Sequence, residues 1–314
     1  MAHKTYVDAT AYDITGGRTM VDGTGYNVTG GRTLVDGTAY DISFFSVPAL
    51  NDCTWTEISE ISSAGLASSC WSVGDRKAVT LRGVIGILSI DETYYVYIIG
   101  FNHKGATNTI DFGTFKTTLS GGRDICLIDE NYPKSSTNGT KYFNMKHSST
   151  ENNGGWKGCD LRYDILGSTK TKGSNADSNT ATSPVPNTLM AALPSDLRAV
   201  MKPMTIYTDN IGGKTVTDSN VTASVDYLPL LAEFEIFGTR SNANPAEQNY
   251  QEQYTYFSSG NSRYKVRHSA LNYAARWWAR SPQSYNAFCT VSDQIEASGV
   301  FVNGSAGLAP IFRV

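Results

Sequence analysis

Ala275-Arg276-Trp277-Trp278-Ala279-Arg280-Ser281-Pro282 is the stretch on which the fold turns. Two adjacent tryptophans, two arginines and a proline stop stand together in a chain that has only five tryptophans. Phe288-Cys289-Thr290-Val291 follows, then a loose run rich in Ser, Gly, Asn and Ala. Gly307-Leu308-Ala309-Pro310-Ile311-Phe312-Arg313-Val314 is again apolar. Hydrophobic anchors therefore bracket a polar, small-residue insert, the pattern of a binding surface carried on a rigid frame. A core strand with an ordinary loop attached satisfies the same residues.

Upstream, Tyr227–Phe237 is the most apolar run and is expected to be central. Glu233 and Glu235 lie in it at strand spacing, which puts both carboxylates on one face. A glycosidase-like acid pair is conceivable there, although an ion pair to Arg276 or Arg280 accounts for them more simply. Asn242–Gly260 reads as a polar excursion carrying Tyr250, Tyr254, Tyr256 and Phe257. Residues 188–202 predict one helix or two, with Pro194 at the start of the second half and Pro203 as its stop. Residues 168–187 read as a Ser/Thr-rich surface loop, and His147 as a surface residue. Trp156, Cys159, Tyr163 and Leu166 fall on one helical face, ended by Gly167.

Trp55, Ile58, Ile61 and Leu66 predict an amphipathic helix over Thr54–Ala67, with Thr54 as N-cap. Lys77–Arg82, Thr93–Phe101 and Thr109–Phe115 read as strands from their alternation and β-branched content. Before them stands a repeat. Thr10–Gly23 recurs as Thr24–Gly37, a third copy begins at Thr38–Ser43, and Tyr12, Tyr26 and Tyr40 set a period of 14. Each unit offers two short β-like runs, with Gly-Gly and Asp-Gly as turn signals. Units this small cannot bury a core alone, so they are expected to pair with other copies or dock on a larger particle.

Composition narrows the function classes. With 314 residues and a net charge of −3, the chain has ample material for a core but no basic field for nucleic acid. No run approaches the roughly 18 apolar residues of a membrane span. The first residues lack an apolar signal core, so classical secretion is not expected. Low charge with abundant Gly, Ser, Thr, Asn and Tyr suits a β-rich extracellular or virion protein. Cys53, Cys70, Cys126, Cys159 and Cys289 are odd in number and form no CxxC pair, which disfavours zinc. Buried free thiols are expected, and a Cys53–Cys70 disulfide stays open. No nucleotide-binding, zinc-protease or serine-hydrolase motif occurs, so neither a cofactor nor a metal is expected.

The ordered anchors Trp71–Asp75, Val96–His103, Gly155-Trp156 through Leu161-Arg162 and Leu166, Leu228–Gly238, Trp277–Pro282 and Gly307–Phe312 resemble a known family. It comprises phage tail and gut-bacterial surface proteins with a C-type lectin-like C-terminal domain, and the Gly-Gly-Arg-Thr-Leu-Val-Asp-Gly repeat resembles segments of phage minor tail proteins. Many members are variable proteins of diversity-generating retroelements, in which adenine-directed mutagenesis rewrites C-terminal codons. The resemblance implies frame residues Trp277, Trp278, Arg280, Pro282, Phe288, Gly307, Pro310 and Phe312. It implies displayed residues among Ser284, Tyr285, Asn286, Thr290, Ser292, Ser298, Val300, Phe301 and Asn303. Gln283, Gln294 and Glu296 lie outside the codons such mutagenesis reaches, and Ala279 stands where a bulkier apolar residue is usual.

The expectation is thus an α+β, C-type lectin-like (formylglycine-generating-enzyme-like) domain over 45–314, preceded by an all-β attachment and oligomerisation segment over 1–44. The resemblance implies non-catalytic recognition of a host-surface protein or glycan, as a homotrimer alongside other tail proteins, on a phage tail or extracellular surface. The rival classes are a glycan-processing enzyme and a purely structural tail component.

Overall fold

The computed structural model describes residues 48–127, 143–147, 149–173, 179–210, 217–292, 294 and 296–314, together with the backbone of six strands between Lys4 and Ser43. The chain divides into two compact units, Met1–Ala49 and Leu50–Val314.

The first unit holds three antiparallel hairpins. β1 (Lys4–Val7) pairs with β2 (Thr10–Asp13), β3 (Arg18–Val21) with β4 (Thr24–Asn27), and β5 (Gly30–Val35) with β6 (Thr38–Ser43). The registers are equivalent: Thr5 faces Tyr12, Thr19 faces Tyr26 and Thr33 faces Tyr40. The period of 14 stands, but its phase is corrected. A repeat cut at Thr10, Thr24 and Thr38 severs each hairpin. The structural unit instead takes in the Lys-Thr or Arg-Thr that begins six residues earlier, at Lys4, Arg18 and Arg32, and is complete three times.

The second unit is α+β, with sheets predominating. It opens with helix α1 (Trp55–Ser63), capped as expected: Thr54 Oγ1 accepts the Glu57 amide at 3.2 Å, and the Glu57 carboxylate accepts the Thr54 amide at 2.7 Å. The helix stops short of Ala67 because the chain turns left-handed at Gly65 (φ +75°). Leu66 is consequently exposed rather than on the buried face, and a separate short helix α2 spans Ala67–Cys70. β7 (Arg76–Ile85) and β8 (Leu88–Phe101) form a long hairpin, and β9 (Ile110–Lys116) joins β8.

β10 (Ile125–Cys126) precedes the island of Trp156, Cys159 and Leu166, all fully buried around a π-helical turn at Leu161–Ile165. Tyr163 is only half-buried. Residues 168–187 are not simply a surface loop. Ser168, Thr169, Thr180 and Ala181 are buried, because Ser168 Oγ accepts the Leu228 amide and Arg198 grips the Ala181 carbonyl. His147 is half-buried beside Asn144 and Asp164. The two predicted helices are α3 (Leu189–Ala192) and α4 (Ser195–Val200), with Pro194 at the N-cap of the second.

β11 (Met204–Asp209) and β12 (Val221–Asp226) form a hairpin. The apolar run that follows is not a strand where its glutamates lie. Glu233–Phe237 is helix α5, because the Glu235 carboxylate accepts the Ala232 amide and Gly238 caps the other end at φ +67°. After α6 (Thr255–Ser258), β13 (Val266–Arg267) and β14 (Ala270–Ala274) lie in a small sheet with β10. Tyr254, Tyr256 and Phe257, read within a polar excursion, are buried.

β15 (Trp277–Ser284), β16 (Ala287–Val291) and β17 (Ala297–Phe301) form an antiparallel meander. β18 (Ile311–Arg313) returns to the edge of the main sheet, whose order is β18-β9-β8-β7. Bridges from Gly307 to Trp277 and from Pro310 to Leu230 tie the meander to that sheet. Trp55, Phe112 and Phe312 meet in the core, with Phe112 and Phe312 stacked at 5.1 Å. The five cysteines are free thiols, so Cys53 and Cys70 are not bridged.

Candidate binding surface

β15 is the foundation of the site. Its residues from Trp277 to Pro282 are buried, and the polar side chains among them are hydrogen-bonded. Trp277 Nε1 donates to the Arg263 carbonyl at 3.1 Å and Trp278 Nε1 to the Phe143 carbonyl at 3.2 Å. Arg280, wholly buried, donates to Thr208 Oγ1 and the Leu230 carbonyl and forms a bidentate pair with Glu235. Burial opposes charge on Glu235, but the guanidinium outweighs it and holds the carboxyl below its ordinary pKa.

Glu233 is equally committed, accepting backbone amides of Ser241, Asn242 and Ala243. The two glutamates therefore leave the strand-face arrangement expected of them and brace the frame. A third carboxyl, Glu247, lies beneath Ser281 and accepts from Ser281 Oγ, the Asp209 amide and Gln251 Nε2. Burial raises its pKa to about 7 despite these donors.

The β15–β16 turn is held by a residue that the sequence reading did not single out. Asn152, fully buried, donates through Nδ2 to the carbonyls of Ser284 and Ala287, and its amide donates to the Tyr285 carbonyl at 2.8 Å. The amide of Val302 donates to the Asn286 carbonyl and that of Lys146 to the Val302 carbonyl. The backbone of the turn is thus fixed from behind, and its side chains are left outside.

Ser284, Asn286, Val300 and Phe301 line one recess of about 380 Å³ together with Arg276, Gln283, Ala287 and Gly299. Tyr285 (48% exposed) and Phe301 (62%) are the large side chains at this end of the meander, and Asn303 is exposed beside them. Ser298 is half-buried farther along β17, opposite Thr290. Ser292 lies at the distant β16–β17 turn, where its Oγ accepts the amides of Gln294 and Glu296. Thr290 does not belong to a displayed set. It is buried, because five consecutive residues of β16 lie inside the fold and alternation fails there.

Of the recess residues outside the expected set, Arg276 and Gln283 are polar, Gln283 being excluded from that set on codon grounds. Arg276 lines the recess with a buried Nε that has no hydrogen-bond partner among the described residues. Gln283 is exposed, donates to Asn242 Oδ1, and lies so close across β17 that a Cβ on Gly299 would meet its Oε1 at 1.6 Å. Neither had a signal beyond its neighbourhood. The arrangement can bind: it combines two exposed aromatics, small polar side chains and one guanidinium on a rigid support.

Residues 126–314 match the family described as a domain of unknown function, DUF6273, and the chain belongs to that family. The match takes in β10 to β18 and hence the frame, the turn and the recess. No curated protein and no solved structure matches the chain.

Proposed function

We propose that this member of the DUF6273 family is a non-catalytic recognition protein whose β15–β17 meander carries the ligand-binding surface on a C-type lectin-like frame. The observation that carries the reading is the contrast within one hairpin. Trp277–Pro282 is buried with its polar side chains bonded, while Ser284, Asn286, Val300 and Phe301 line an open recess and Tyr285 is exposed at the same turn. Tyrosine and phenylalanine give contact area at little entropic cost, and Ser and Asn give adaptable hydrogen bonds, as in antibody loops. Turn side chains outside a backbone held by Asn152 can change without disturbing the core.

The saturation of Glu233 and Glu235 by backbone amides and Arg280 favours this reading over glycan hydrolysis, which needs an available acid and base. We assign the protein to a phage tail or another extracellular surface, as a homotrimer assembled partly through the three hairpins, with a host-surface protein or glycan as ligand and the meander diversified by a retroelement. Two measurements test this. Labelled protein should adsorb to susceptible bacterial cells and lose adsorption in the triple variant Tyr285→Ala, Asn286→Ala, Phe301→Ala. The DNA flanking its gene should carry a reverse transcriptase and a near-copy of the segment encoding 283–303 that differs at adenines. Full adsorption by the triple variant would discard the surface, and a neighbourhood without the near-copy would discard its diversification.

A further inference from the structure

A second cleft, of about 290 Å³, lies apart from the recess, where the turn after β8 meets β11, Tyr250 and β18. Its groups are set by buried bonds rather than by chance. Asp111, fully buried in β9, accepts from Arg313 Nε and Nη2 at 2.6 and 2.7 Å and from Tyr254 Oη at 3.0 Å. The Tyr254 ring in turn carries His103, stacked at 3.6 Å with planes 12° apart. His103 is 8% exposed, and its Nε2 is buried without a hydrogen-bond partner among the described residues. Burial lowers the pKa of this imidazole, so it is neutral at neutral pH.

The cleft supplies donors in excess of acceptors. Glu235 forms part of its wall, but both carboxylate oxygens are taken, by Arg280 and by the Ala232 amide. Lys104, at the mouth, is exposed and in no ion pair among the described residues. Arg313 spends Nε and Nη2 on Asp111 and leaves Nη1 without a partner among the described residues. A negatively charged oxygen is the complement of these groups. Tyr207 and Tyr250, stacked at 5.2 Å, add an aromatic wall of the kind on which the C–H face of a sugar ring packs.

The geometry points to a fixed subsite for an acidic sugar, a pyranose bearing a carboxylate, with the carboxylate toward Lys104 and Arg313, the ring against Tyr207 and Tyr250, and a hydroxyl at His103 Nε2. This site is independent of the recess, and its size accommodates one monosaccharide unit, at the small end of ligand pockets.

Calorimetric titration of the full chain with glucuronate, glucose and acetate tests the assignment. Glucuronate should bind saturably and at least about tenfold more tightly than either of the others, since one charge-assisted hydrogen bond is worth about that factor. Lys104→Asn, which suits the left-handed backbone there (φ +52°), and Tyr250→Ala should each weaken glucuronate about tenfold or more. Phe301→Ala should leave it unchanged. Equal binding of acetate would remove the sugar from the proposal, and equal binding of glucose would remove the acid. Absence of saturable binding, or unaltered affinity in folded Lys104→Asn, would overturn the site. Loss of binding in Phe301→Ala would move it to the recess and overturn it equally.

Discussion

Arg280 and Glu235 are locked to each other in the interior, with Nη1 2.6 Å from Oε2 and Nη2 2.5 Å from Oε1. The pair joins the first residues of the meander to helix α5, and Nε and Nη1 also donate to Thr208 Oγ1 and the Leu230 carbonyl. Removing one partner leaves a buried charge without compensation. We predict that Glu235→Gln and Arg280→Met each lower stability by about 3–5 kcal/mol. Chemical denaturation measures this, and a loss within experimental error in both variants would show that the pair is not the brace described.

Frame and display should separate in stability. Trp277→Ala and Trp278→Ala are predicted to cost about 3–5 kcal/mol each. Tyr285→Ala and Phe301→Ala, at exposed side chains, should stay within about 0.5 kcal/mol of the parent. Thermal melts of the four variants suffice, and losses of several kcal/mol at 285 and 301 would remove the basis for a freely variable surface.

Thr290 makes the opposite prediction to its neighbours. Its Oγ1 is buried and has no hydrogen-bond partner among the described residues. Thr290→Val keeps the shape and deletes an unsatisfied polar group, so it should raise stability by about 1 kcal/mol. A destabilised variant would mean that the hydroxyl is bonded in solution.

Glu247 should give stability a pH dependence of definite sign. Its folded pKa, raised to about 7, exceeds the ordinary carboxyl value, so the folded state binds the proton more tightly. Its contribution is fully present below the ordinary value and declines as pH rises through about 7, by on the order of 3 kcal/mol in all. The difference in unfolding free energy between the parent and Glu247→Gln, compared at about pH 5 and about pH 8, isolates this group. An unchanged difference would contradict the raised pKa.

Assembly is tested by mass. If the three hairpins help to hold a trimer, light scattering of the full chain should give three times the chain mass, and deletion of residues 1–44 should reduce it. The same monomeric mass for both forms would refute that role, which rests on open strand edges inviting pairing between chains.

The part of this architecture that was legible beforehand is the part whose physics is local. Trp277, Trp278 and Phe312 are too large and apolar for anything but the core, and Thr54 with Glu57 spells a helix start in four residues. The ion pair of Glu235 with Arg280, 45 residues away, was expected, but the helix that carries it was not, because strand spacing and a single helical turn both accommodate residues two apart. Asn152 was invisible for a related reason. An asparagine in a polar stretch signals a loop, and only the folded chain reveals that its amide is spent on a turn more than 130 residues later. The phase of the hairpin repeat cannot be read from periodicity at all, since any cut of a repeat preserves its period.

Gly299 and Gln283 occupy what is in effect one side chain's worth of space between two strands. The two positions are therefore not free to drift separately: a side chain at 299 must displace the one at 283 from Asn242, to which Gln283 donates. Gly299→Ala should thus cost no more than that surface hydrogen bond, and Gln283→Ala added to it should cost little further.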